Sequence, residues 1–183
     1  SLANVDNEIM SSIEMKGIAK EFSVKDSLKA LDANKVLIFA CGTGHPYFST
    51  DTCTALRAIE IEADAILLAK AIDGVYDSDP KTNPTAVRYD EVSIQEVIDK
   101  KLAVVDLTAS IMCMENKMPM LIFGLNEENS VIFNGGLTTL DASANNFSVT
   151  ISNNMIASTT AIDKATFTIS SNKYIIICGS GLY

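Results

Sequence analysis

KVLIFACGTGHPYFSTDTCTALRAIEIEADAILLA, residues Lys35–Ala69, reads in succession as strand, glycine-rich loop, helix and strand. KVLIFA (35–40) and AILLA (65–69) are short continuous apolar runs, the mark of strands covered on both faces. Between them Ala55, Leu56, Ile59 and Ala63 fall on one helical face. Short buried strands separated by helices imply right-handed crossovers and a mostly parallel sheet, which makes the class α/β. Ligands in such sheets sit beyond the carboxyl ends of strands. The loops 41–50 and 70–90 both leave such ends, so they are expected to share one sheet edge.

Working outward, residues 7–21 look helical, and SVKDSLKALDAN (23–34) follows as a helix. Ser23 is its expected N-cap, Asp26 stands at the capping-box position, and Leu28 and Leu31 share a face. Downstream, Ser93 to Glu96 form a second capping box, with Ile94, Val97 and Ile98 as the apolar stripe. LAVVD (102–106) then reads as a strand, LTASIMCMENK (107–117) as a helix, and PMLIFG (119–124) as a strand. Met112, Met114, Met118 and Met120 suit a core or an interface.

A chain of 183 residues with 48% hydrophobic content suits one globular domain with an appendage. Its net charge of −9 argues against nucleic acid and membrane surfaces as partners, though not against a small anion held by backbone amides. No apolar run approaches the roughly 18 residues that span a bilayer. The opening SLANVDNEIM lacks the order of a signal peptide. Cys41, Cys53, Cys113 and Cys178 have no C-x-x-C spacing, so reduced thiols in a cytoplasmic protein are expected, and no metal site. Beyond residue 136 only Asp141, Asp163, Lys164 and Lys173 carry charge. The expected division is therefore 1–136 and 137–183. The second part is rich in Ser, Thr and Asn, and FSVTI, ATFTI and YIIIC mark it as a β-rich tail.

The loop Gly42–Asp51 invites a ligand. Two glycines let backbone approach closely, Thr43, Ser49 and Thr50 bring hydroxyls, and Tyr47 and Phe48 can flank a flat base. A helix starting near Thr50 or Asp51 adds free amides that favour a phosphate. Spacing alone favours a plainer account, with Ser49, Thr50 or Asp51 as a cap and the glycines as a connection, since neither a Walker A loop nor G-x-G-x-x-G is present. His45, the only histidine, suits an orienting hydrogen bond better than a general base. Arg57 can pair with Glu60 or Glu62 on the surface. In the second loop Asp73, Asp77 and Asp79 lack the EF-hand pattern and fit turn chemistry, or alternatively Tyr76 and Asp79 hold an adenine and ribose. Asp106 is an expected helix cap.

Three blocks in order, GTGHPYFSTDTCTALRAIEIEAD, AKAIDGVYDSDPKTNPTAVRYDEV and VVDLTASIMCMENKMPMLIFGLNE, resemble the C-terminal part of bacterial UMP kinases, within the amino-acid-kinase fold. The likeness runs over roughly residues 8–130. It implies a three-layer α/β/α sandwich, incomplete here, and transfer of the γ-phosphoryl group of ATP to UMP with Mg2+. It also implies a role in pyrimidine nucleotide biosynthesis and a cytoplasmic homo-oligomer, the family being hexameric. On matching positions Thr43, Gly44, His45, Pro46, Tyr47, Phe48, Ser49 and Thr50 would line the UMP site. Asp51 would be the catalytic residue, an acidic side chain near the transfer path, and Lys70, Tyr76 and Asp79 would contact ATP.

His45 stands where the family has Asn, and Cys41 where it has a small residue. The family's opening K-L-S-G-E loop, its G-G-G-N segment and its early Asp for UMP do not appear upstream of Ser1, and no remaining Lys or Arg obviously substitutes. NGGLTTL (134–140) is a poor echo of the closing G-x-x-x-G-T. The expectation is a UMP kinase impaired as this chain. The alternatives are a non-catalytic nucleotide-binding or oligomerisation module, or another amino-acid-kinase member such as an aspartate or carbamate kinase.

Overall fold

Hydrogen bonding sorts the strands into two separate sheets. In this computed structural model the described residues are 6–124, 155–159 and 175–179. By contact, those up to Ser49 form one unit and those from Thr50 on form a second.

The first unit holds β1 (Asn7–Ser11), β2 (Lys20–Glu21), α1 (Val24–Asp32) and β3 (Val36–Ala40). Its sheet has the order β2-β1-β3 with every pairing parallel, in a register that sets Asn7 opposite Val36 and Ser11 opposite Ala40. The helix expected over 7–21 is therefore corrected to two strands and a connection. Asn7–Ser11 has the whole of β3 to pair with, and Gly17, at φ +75°, interrupts any helix through the middle of the stretch. The helix from Ser23 forms as expected, the Ser23 hydroxyl accepting the Asp26 amide at 3.4 Å. It buries Ser27 and Ala30, and the Ser27 hydroxyl reaches the sulfur of the fully buried Met10 at 3.2 Å. Phe22 meets Phe39 edge-on, ring centroids 5.7 Å apart.

β3 is a strand, but not one covered on both faces. Ile38 and its register partner Ile9 are 47% and 45% exposed. The apolar run reflects packing of one face, with Phe39 against Phe22, and leaves the alternate residues more open.

The second unit holds α2 (Thr50–Glu60), β4 (Ala65–Lys70), β5 (Glu91–Ser93), α3 (Ile94–Asp99), α4 (Leu107–Glu115), β6 (Met120–Gly124), β7 (Met155–Thr159) and β8 (Ile175–Gly179). Their order is β5-β7-β6-β4-β8, parallel except for β5 against β7. Ile66, Leu67, Leu68 and Ala69 are all buried, which is what AILLA predicts for a strand with neighbours on both edges. α3 and α4 start on Ser93 and Asp106, whose side chains accept the Glu96 and Ala109 amides. LAVVD is not a strand. The Leu102 amide turns back to Val97 and the Val104 amide to Leu102, while Val104 and Val105 are buried within the bend.

The α/β class with mainly parallel pairing is as expected. β3 and β4 nevertheless lie in different sheets, so the loops that follow them do not leave one sheet edge. Both hydrogen-bonding edges of β4 are taken, by β6 and β8, and β3 pairs with β1. YIIIC falls largely within β8. FSVTI, ATFTI, NGGLTTL and the expected division at residue 136 lie outside the described residues.

Candidate functional site

The loop that follows β3 in the first unit is shaped by left-handed backbone. Cys41, Gly42, Gly44 and Tyr47 have φ of 66°, 58°, 77° and 69°. Gly44 is required twice over, since a Cβ there would lie 2.9 Å from the Ser12 carbonyl oxygen as well as being strained by its φ. The Gly44 amide closes the turn on Cys41 O at 3.0 Å, and the Ser12 hydroxyl donates to Gly42 O at 2.5 Å. Thr43 is held locally, its hydroxyl and the backbone of His45 exchanging contacts at 3.3 Å. The His45, Pro46, Tyr47, Phe48 and Ser49 positions are exposed, Tyr47 completely. A wholly exposed tyrosine beside a half-exposed phenylalanine contributes little to a core, so these rings are free to meet a ligand.

In the second unit, α2 starts at Thr50, with Asp51 in its first turn. The Asp51 carboxylate accepts from the Lys70 ammonium at 2.7 Å, and the two side chains are only 11% and 12% exposed. A cation therefore does face the acid, from the last residue of β4. Arg57 pairs with Glu60 as anticipated, but from a buried position rather than on the surface.

The second loop ties itself together. Asp73 accepts from the Tyr76 hydroxyl at 2.9 Å and from Arg88 at 3.0 Å, while Tyr76 and Arg88 face each other in a bridge. Asp77 receives the Val87 amide at 2.9 Å and the Ser78 hydroxyl at 3.0 Å, and these bonds, the Val87 amide foremost, hold its carboxyl below the usual range. Asp79 accepts the Lys81 amide with its side chain and the Thr82 and Asn83 amides with its carbonyl. The turn-chemistry reading thus accounts for all three carboxylates. Lys70 meets Asp51, whereas Tyr76 and Asp79 engage their own loop.

A contact not expected from the sequence joins Thr52 to Asp106. The Thr52 hydroxyl is 3.0 Å from both carboxylate oxygens of Asp106, one of which also takes the Ala109 amide at 2.9 Å. Asp106 capped α4 in the sequence reading; nothing in the spacing linked it to α2.

Among the described residues no three His, Cys, Asp or Glu side chains gather to hold a metal ion. Mg2+ arriving with a nucleotide needs no such cage, because it ordinarily takes one or two carboxylates plus phosphate oxygens and water. No helix among those residues is long and apolar enough to cross a membrane.

Residues 5–124 match the amino acid kinase family. The crystal structure of UMP kinase from Ureaplasma parvum is similar at 39% identity with a TM-score of 0.66, over 69% of this chain and 54% of that one. UMP kinase from Bacillus anthracis is similar at 32% identity with a TM-score of 0.66, over 68% of this chain and 51% of that one. The chain thus spans about half the length of the UMP kinases it matches.

Proposed function

The chain belongs to the amino acid kinase family, and from that premise we propose that it carries the UMP loop and much of the ATP half of a UMP kinase. The reaction is transfer of the γ-phosphoryl group of ATP, as its Mg2+ complex, to UMP to give UDP. The observation that carries this reading is the loop of Thr43, Gly44, His45, Pro46, Tyr47, Phe48 and Ser49, exposed from His45 onward and followed by α2 at Thr50. Hydroxyls and amides suit the nucleotide phosphate, and the Tyr47 and Phe48 rings suit the uracil. His45 supplies a hydrogen bond in place of the family's Asn.

The phosphate oxygen of UMP is itself the nucleophile, so the protein's task is positioning and charge neutralisation. In the second unit the Lys70 ammonium offsets negative charge that spreads over the transferring group. Asp51, the acidic residue near the transfer path in this reading, holds that ammonium in one place. Tyr76 and Asp79 present the loop that receives the adenosine of ATP. A place in pyrimidine nucleotide biosynthesis, in the cytoplasm and as a homo-oligomer, belongs to the same proposal.

The test is calorimetric titration with UMP, ATP, aspartate and carbamoyl phosphate, together with an assay for UDP. UMP and ATP are expected to bind and the other two not. Tyr47→Ala is expected to weaken UMP about tenfold, the scale of one lost base–aromatic stack, with stability unchanged. Turnover on the order of 1–100 per second would establish an active kinase. UMP and ATP binding without UDP would favour the non-catalytic module, and preference for aspartate or carbamoyl phosphate would overturn the UMP assignment.

A further inference from the structure

We infer that Thr52 and Asp106 are positioning residues that fix the rotation of α2 and thereby hold Asp51 against Lys70. The inference rests on the reading of Asp51 as the acidic residue near the transfer path. The first turn of a helix has amides without intrahelical partners and is where helices fray. Asp51 lies in that turn of α2. Successive helical residues point about 100° apart, as 3.6 residues per turn requires. Asp51 and Thr52 therefore grip different neighbours, Lys70 at the end of β4 and Asp106 at the start of α4. One contact alone would let the turn swivel about it; two in different directions set its angle.

The anchor is firm. Thr52 is 4% exposed, and its hydroxyl shares one proton between the two oxygens of Asp106. Asp106 is held to α4 through the Ala109 amide, and its carbonyl takes the Ser110 amide and hydroxyl at 3.0 and 2.9 Å. Ala109, Ser110 and Cys113 on that helix are buried to 1% or less. The Asp106 carboxylate thus bolts the first turn of α2 to the start of α4, a helix anchored by its buried face, and it touches neither the UMP loop nor the ATP loop in any contact described above.

The experiment compares Thr52→Val, which keeps the shape and removes the hydroxyl, with Thr52→Ser, which keeps the hydroxyl. In Thr52→Val, kcat for UDP formation is expected to fall about tenfold or more, the scale of one hydrogen bond to a charged group. KM for UMP should change less than about twofold, since the UMP contacts are not altered. Thr52→Ser should restore kcat to within about twofold of the parent. A second readout needs no turnover: the Lys70 ammonium resonance in 15N NMR, slowed in its exchange with water by its bond in the largely buried pair. It should broaden or shift in Thr52→Val and recover in Thr52→Ser. Asp106→Asn, which keeps an α4 cap but not the charge, should move it in the same direction if Thr52→Val does not fold. A parent chain that makes no UDP counts against the kinase reading alone, because the ammonium signal still decides this one. An ammonium signal unmoved by the folded variants, or a kcat loss that Thr52→Ser fails to restore, overturns the inference.

Discussion

Replacing Gly44 by Ala should destabilise the first unit well beyond what the same change does at Gly42, two residues earlier. Both glycines have positive φ, 58° at Gly42 and 77° at Gly44, so both variants incur left-handed strain of about 1–2 kcal/mol. Each regains about 0.4–1 kcal/mol because alanine restricts the unfolded chain. Gly42 has nothing within 4 Å of an added Cβ, so the net cost there is about 1 kcal/mol. At Gly44 the new methyl would stand 2.9 Å from the Ser12 carbonyl oxygen and 3.3 Å from the Ser12 Cβ. Ser12 cannot retreat freely, since its amide is bonded to Ala40 O at 3.1 Å and its hydroxyl to Gly42 O. Overpacking of this kind adds about 1–3 kcal/mol, for a total of about 2–4 kcal/mol. Guanidinium unfolding followed through the β1 and β3 amide signals reports this unit by itself. Equal destabilisation of the two variants, within about 0.5 kcal/mol, would refute the steric argument and leave only the backbone angle.

Three further outcomes test the second unit. Lys70→Met strands the Asp51 carboxylate at 11% exposure, so a loss of about 3–5 kcal/mol is expected in chemical unfolding, and adding Asp51→Asn should recover much of it. Acid should loosen the 73–90 loop. The folded pKa of Asp77 lies below its unfolded value of about 3.9, so its contribution is complete above that value and fades as pH falls through the folded one. The Val87 amide shift followed by NMR on acidification measures this, and a shift that titrates above the unfolded value would contradict it. Cys113 is buried and its thiol is pushed up to about 12, by burial first and the Asp106 charge second. Iodoacetamide at about pH 8 should leave it unmodified while labelling the exposed Cys41, as peptide mass spectrometry would record. Labelling of Cys113 ahead of Cys41 would contradict that burial.

What the sequence made legible was local. Ser23, Ser93 and Asp106 announced three helix starts through hydroxyls or carboxylates that their own turns consume. AILLA announced a buried strand because every residue in it is apolar, whichever way it points. Asn7–Ser11 was misread because its strand character comes from a partner, β3, that no local window contains. LAVVD failed for the opposite reason: a strand-like composition is spent on filling a bend closed by Leu102 and Val104 amides. Individual site residues were likewise easier to name than to assemble. Asp51 and Lys70 were each singled out, yet their meeting depends on α2 packing beside β4. Thr52 and Asp106, 54 residues apart, left no trace in the spacing at all.

The arrangement around β4 also sets an order of assembly. β1 pairs with β3 within residues 7–40, so that pairing can form as soon as those residues have been made. β4 cannot complete its pairing until β8 has emerged, since Leu67 lies opposite Ile177. Until then its most apolar run presents an open edge, a template for another chain's strand. Expression yield should therefore depend on how quickly synthesis reaches residues 175–179, and on whether a chaperone covers β4 in the interval.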